Sequence, residues 1–330
     1  MVLGWILAGG LVGSLGGYFA VSLVAAARML RPYRKTSQIA PGDVGLHYED
    51  VWLKARGEEL TIAAWHIPAE QATRAIILAH GVGGCRGHDY SLSSLHLVTE
   101  LVESGFTVLM IDLRGHGESD AAWMTYGMSE RRDVLGAVDW LLERGYQPGS
   151  IGVLGLSMGG VAGLGAACED RAIAALIIDS ACADFMQMMR AHFRRTSKLP
   201  KYFLLGTVFM ARFLTGERLE TLRPAEMLRT VPHLKVLIFH GSKDRLVPLE
   251  HGEALARAAQ TDLVVTQQAG HLGSFKTDPR GYTRRVLQFF KASLEVQPVT
   301  SPILQHCEVG ATDIQIAPAF KVARGVPSKV

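Results

Sequence analysis

The sequence predicts an α/β fold, a mostly parallel eight-stranded sheet with helices on both faces, and three observations predict it. From residue 46 onward, short and nearly continuous apolar runs alternate with longer stretches of helical period, as expected of strands covered on both faces and joined by crossover helices. One such run, IGVLGL, leads directly into Gly155-Leu156-Ser157-Met158-Gly159 and then a small-residue stretch, which reads as a strand, a tight turn and a helix. Asp244 and His271 each stand just past a later apolar run. Loops at strand ends are where an open α/β sheet meets its ligands.

In chain order, residues 1–27 carry no charged side chain, and an apolar helix of this length can cross a hydrocarbon core of about 30 Å. A retained transmembrane anchor is preferred to a signal peptide cleaved near Ala25-Ala26-Ala27, because a signal peptide has a basic start and a shorter apolar stretch. Arg28, Arg31, Arg34 and Lys35 follow it in a basic juxtamembrane linker, 28–45. The positive-inside rule then puts the catalytic bulk in the cytoplasm, as a single-pass membrane protein. Gly9, Gly13 and Gly17 form a G-x-x-x-G face, which either pairs two such helices as a homodimer or belongs to a Gly-rich monomeric anchor.

Tyr48–Leu53 and Leu60–Ile67, joined through Arg56-Gly57-Glu58, predict an antiparallel hairpin. Strands follow at Ala75–Ala79, Thr107–Asp112, Ile151–Leu156, Ala174–Asp179, Lys235–His240 and Leu263–Gln267. Helices fall near Leu92–Glu103, Ser129–Arg144, Met158–Cys168 and Pro279–Leu294. Two stretches break the repeat. Residues 182–224 read as a helical, Met/Phe-rich insertion, and 296–330 as a loosely attached tail.

Composition narrows the function. With 34 Lys+Arg against 31 Asp+Glu, a net charge of +3 excludes a polybasic nucleic-acid binder. A 48% hydrophobic content matches a large core plus an apolar segment. The 4 cysteines lack C-x-x-C spacing and read as free thiols. There is no asparagine, so N-glycosylation is impossible.

G-x-S-x-G between a strand and a helix carries chemistry because the glycines permit a tight turn that projects the serine hydroxyl beside a helix N-terminus. Serine needs a base and an orienting carboxylate. Asp244, in Gly241-Ser242-Lys243-Asp244, and His271, in Ala269-Gly270-His271, supply them in the order Ser, Asp, His; Asp179 and Asp184, after another strand, are the alternative acids. His88, His116, His240 and His251 read as loop or surface residues, and Asp112 and Arg114 as a structural turn. No metal-ligand spacing is present.

With His80-Gly81 and Asp112-Leu113-Arg114-Gly115-His116-Gly117-Glu118-Ser119 added to these motifs, the chain resembles the α/β-hydrolase superfamily over about 46–295. Within it, the chain is similar to membrane-anchored serine hydrolases related to monoacylglycerol lipases and lipid thioesterases. The resemblance implies hydrolysis of acyl esters or thioesters without metal or cofactor. It also implies an oxyanion hole from the backbone N–H groups of Met158 and Val82, with Gly81 or Gly83 as alternatives for the second donor.

From Phe185 to Pro224 eight basic residues face two acidic ones, a net charge of +6. Phe185, Met188, Met189 and Phe193 recur at helical spacing, and 203–210 reads FLLGTVFM. The insertion is expected to act as a lid, either an ordinary cap or one that touches an anionic membrane surface. Phe185, Met189 and Phe209 are its candidate acyl-binding residues. Two rivals remain: a peptidase of the prolyl-oligopeptidase kind, for which 36–45 is too short to hold the usual extra domain, and a non-catalytic membrane-bound binding protein on the same scaffold.

Overall fold

A computed structural model describes residues 2–87 and 92–295, with 2–12 and 92–94 as backbone only. His88 and the tail expected at 296–330 lie outside the described residues. The chain opens with helix α1 (Val2–Leu30) and, after a 3-10 turn at Pro41–Val44, enters the sheet. Its elements are β1 (Glu49–Lys54), β2 (Thr61–Ile67), β3 (Arg74–Ala79), α2 (Leu92–Glu103), β4 (Phe106–Ile111), α3 (Arg131–Glu143), β5 (Ile151–Leu156), α4 (Met158–Glu169) and β6 (Ile173–Asp179). Then come α5 (Phe185–Ser197), α6 (Phe203–Thr215), α7 (Pro224–Thr230), β7 (Lys235–Gly241), α8 (Leu249–Ala259), β8 (Leu263–Thr266), α9 (Ser274–Thr277) and α10 (Pro279–Ser293).

The strands form one eight-stranded sheet in the order β1-β2-β4-β3-β5-β6-β7-β8. β2 pairs antiparallel with β1 and β4; every other pairing is parallel. Strand alternation sorts the apolar side chains into two cores. Ala75, Ile77 and Ala79 of β3 join the core with α3, α4 and α8, whereas Ile76 and Leu78 join the core with α2 and α10. Helix α8 was not predicted from sequence; its buried His251, Leu255, Ala256 and Ala258 give only a short apolar row.

The insertion between β6 and β7 folds as two helices. Asp184 caps α5, accepting a hydrogen bond from the Gln187 amide at 2.8 Å, and Phe185, Met189 and Phe193 face inward. In α6, Leu204, Val208 and Ala211 are buried while Leu205, Phe209 and Phe213 form the outer row, as a period of 3.6 requires. Gly216, with φ of 76°, ends it.

Helix α1 runs three residues past the expected limit of 27, to Leu30, and docks on α6. The Tyr18 hydroxyl donates to the Tyr202 carbonyl at 2.9 Å and accepts from the Gly206 amide at 3.0 Å. The Tyr18 and Phe203 rings stack with centroids 5.1 Å apart. A Cβ on residue 206 would lie 2.4 Å from Ser22 Oγ, so any side chain there would have to push Ser22 and Tyr18 aside. The segment after α1 is docked as well. The Leu30 carbonyl accepts from the Met124 amide at 2.8 Å, and Arg34 donates to the carbonyls of Gly117 and Ser119 at 3.0 and 2.6 Å.

Candidate active site

β5 ends at Leu156, α4 begins at Met158, and Ser157 occupies the turn between them with φ 50° and ψ −109°. Such a conformation is unfavourable for a residue with a Cβ and persists only where the surroundings enforce it. The flanking glycines show how they do so. A Cβ on residue 155 would meet the Gly160 nitrogen at 2.4 Å, and one on residue 159 would meet the Ala79 carbonyl oxygen at 2.2 Å. The second approach brings the start of α4 against the end of β3, so the loop from His80 to Val82 lies beside the serine.

Met158 contributes one of the first amides of α4, which lack an intrahelical acceptor. Val82 sits in an exposed turn closed by the Gly84 amide bonding the Gly81 carbonyl at 3.2 Å. Its support is internal. His80 accepts the Leu113 amide on Nε2 and donates from Nδ1 to the Gly81 carbonyl at 2.7 Å. Burial, with His116 alongside, pushes the His80 pKa down to about 3, so the ring is neutral and this tautomer is consistent.

Asp244 and His271 come together as the sequence predicts. Asp244 follows β7, His271 follows β8, and His271 Nδ1 lies 2.7 Å from Asp244 Oδ2. The other carboxylate oxygen, Oδ1, accepts the amides of Leu246 and Val247 at 2.9 and 2.8 Å. Burial opposes ionisation of Asp244, but these bonds and the His271 ring outweigh it and hold the carboxyl below its ordinary pKa. Among the described residues the Ser157 hydroxyl makes no hydrogen bond to His271. Catalytic pairs often close only with substrate bound.

Ser157 and His271 are nonetheless held in one framework that sequence reasoning missed. The Ser157 amide donates to the Asp179 carbonyl at 2.7 Å. Ser180 Oγ donates to Asp179 Oδ1 at 2.9 Å and accepts the amide of Leu272, next to His271, at 3.2 Å. Ser180 and Leu272 also have positive φ, 58° and 54°, so unfavourable backbone clusters at this edge. Burial raises the Asp179 pKa to about 6, against the opposing influence of hydrogen bonds from Ser180 and Tyr282 and of nearby His271. Asp179 is the neighbour of the dyad, and Asp244 is the acid that bonds His271.

The remaining sequence candidates divide. Phe185 is buried with its ring 5.0 Å from Tyr126, and Met189 is buried on the inner face of α5. Phe209 requires a correction: it is 58% exposed on the outer row of α6, its ring 6.1 Å from Phe19 of α1. The apolar run FLLGTVFM hid this, because a helix that is apolar all round has no legible inner face. His116, His240 and His251 are buried rather than surface residues. Arg114 forms a buried pair with Asp133 at 2.7 Å, consistent with a structural turn.

The chain is similar to known proteins in sequence and in fold. YqkD of Bacillus subtilis (strain 168), described as uncharacterized, is 28% identical over 234 residues, 69% of this chain and 74% of its own. The Pyrococcus furiosus esterase Pf2001 superposes with a TM-score of 0.63 at 23% identity, covering 81% of this chain and 98% of that one. An acylaminoacyl peptidase of Pyrococcus horikoshii shares the fold at a TM-score of 0.56 and 16% identity, over 76% of this chain but 42% of its own. These two structures are too distant in sequence to carry more than the fold. Residues 76–285, from β3 into α10, match the alpha/beta hydrolase family, and the chain belongs to that family.

Proposed function

We propose that the protein is a membrane-tethered serine hydrolase that cleaves carboxylic esters or thioesters with hydrophobic acyl groups. The observation that carries this reading is the 2.7 Å hydrogen bond from His271 to the buried Asp244, at the sheet edge where the Ser157 turn emerges. In this reading Ser157 Oγ attacks the acyl carbonyl while His271 Nε2 takes its proton. The N–H groups of Met158 and Val82 hold the resulting oxyanion; losing one such donor costs about 2.7–4 kcal/mol of transition-state stabilisation. Collapse breaks the bond to the alcohol or thiol, which leaves with the proton from His271. Water, deprotonated by His271, then frees the acid and restores Ser157. Asp244 orients the imidazole and stabilises its charged form.

Helices α5 and α6 act in this reading as the lid, with Phe185 and Met189 lining the acyl side. Helix α1, apolar enough to cross a membrane over Gly13–Leu30, is the retained anchor, with Arg28, Arg31, Arg34 and Lys35 keeping the catalytic domain cytoplasmic. Gly13 and Gly17 have open space beside them, which suits pairing with a second α1; Gly9 lies in the backbone-only stretch.

The test is active-site labelling. A fluorophosphonate should modify the wild type and spare Ser157→Ala, which should also lose hydrolysis of p-nitrophenyl esters; persistent labelling or activity overturns the reading. A panel of esters, thioesters and peptides then decides the bond cleaved. Preference for peptides would favour the peptidase alternative.

A further inference from the structure

Helix α6 leaves an apolar row uncovered. Leu205 is 69%, Phe209 58% and Phe213 77% exposed, at intervals of four residues, and Tyr202 adds to the row at 66%. The row adjoins α1, whose Leu15, Val21, Leu23 and Val24 are exposed too, so the two helices share one apolar surface. Exposed apolar surface of this kind marks a contact with lipid or with another protein.

Continuity with α1 decides in favour of lipid, given the reading above that α1 crosses a bilayer. The stretch of α1 apolar enough to cross a hydrocarbon core, Gly13–Leu30, contains Tyr18, Phe19 and Ser22. Those are the residues on which α6 is seated. The apolar row is therefore carried to the membrane by the anchor itself.

Two further observations agree. The α1–α6 contact is made through small residues, Ser22 against Gly206, the close approach that helices adopt in lipid. Phe185–Gly216 contains six basic residues and no acidic one, and Arg194, Arg195, Lys198, Lys201 and Arg212 of the insertion are exposed. Cations flanking an apolar helix face match anionic headgroups above acyl chains.

We propose that α6 is embedded by its outer row in the interface of an anionic phospholipid bilayer, with α1 and α6 inserting as one unit, so that acyl esters reach the site from the lipid. A protein partner on the same face is the competing outcome.

The test uses the full chain in phosphatidylcholine–phosphatidylglycerol vesicles. With p-benzoylphenylalanine in place of Phe213, irradiation should crosslink lipid; crosslinking to protein alone, or to nothing, overturns the proposal. Leu205→Glu/Phe213→Glu should lower hydrolysis of a vesicle-borne long-chain acyl ester about tenfold or more and leave p-nitrophenyl acetate hydrolysis nearly unchanged. Equal effects on both substrates overturn it. Lipid capture needs no catalysis, so an inactive chain that still crosslinks lipid would overturn the hydrolase reading and leave this one standing.

Discussion

Asp112 holds the backbone of Arg86. Its Oδ1 accepts the Arg86 amide at 2.6 Å and its Oδ2 accepts the Glu118 amide at 2.9 Å, tying the loop after β4 to the loop that carries Val82. The Arg86 guanidinium, nearly buried, lies over the Trp65 ring at 4.7 Å and pairs with Glu118. Asp112→Ala leaves buried amides without acceptors, each costing about 1–3 kcal/mol. Urea unfolding should show a loss of about 2–4 kcal/mol, with kcat falling as the Val82 donor loses its support. Unchanged stability would mean that water replaces the carboxylate.

Gly159→Ala tests the approach of α4 to β3. Its methyl would stand 2.2 Å from the Ala79 carbonyl oxygen, a backbone atom that cannot swing aside. Overpacking of this kind costs about 1–3 kcal/mol, and the shift falls on the Met158 and Val82 amides proposed above as oxyanion donors. Titration with a fluorophosphonate should show far slower labelling of chain that remains folded; wild-type labelling rates would argue against the tight turn.

Asp244→Asn keeps the shape of the acid and removes its charge. The amide can present its N–H to His271 and fix the wrong tautomer, which lowers kcat by about 10⁴ in a comparable triad. Asp179→Asn should lower it far less, because Asp179 Oδ1 bonds Ser180 rather than the imidazole. If Asp179→Asn proves the more damaging, the acid has been assigned to the wrong strand.

Asp179 also gives a pH signature. Its pKa rises from 3.8 unfolded to about 6 in the fold, because burial disfavours the charge. Between those values the folded chain holds a proton that the unfolded chain has released, so stability falls as pH rises from about 4 through 6 and stays lower above. The shift is worth about 3 kcal/mol. Asp179→Asn lacks the penalty. It should match the wild type in thermal midpoint near pH 4 and exceed it at pH 7–8; parallel curves would refute the assignment.

Much of this was legible in the sequence because the signals are local. The strands are short apolar runs, and the Ser157 turn, Asp244 and His271 each stand immediately after one. What was not legible depends on distant packing. Nothing in YFLLGTVFM indicates that Phe209 faces outward, since the inner and outer rows of α6 are equally apolar. Nothing in RPYRK indicates that Arg34 reaches the Gly117 and Ser119 carbonyls. Ser180 looks like any serine after a strand, and its positive φ is a property of the fold. Cys85-Arg86 in a glycine-rich loop gave a faint signal: an arginine among small residues needs an acidic partner elsewhere.

The seat of α6 on α1 bears on how the protein is handled. Trimming the N-terminus to obtain a soluble enzyme would strip the Gly206 amide of the Tyr18 hydroxyl, the Met124 amide of the Leu30 carbonyl and the Phe203 ring of its stacking partner. The shortened chain would have a roof without its floor, and its substrate profile would describe that truncated form and not the native enzyme. Detergent-solubilised full-length protein is the sounder starting material for any assay of chain-length preference.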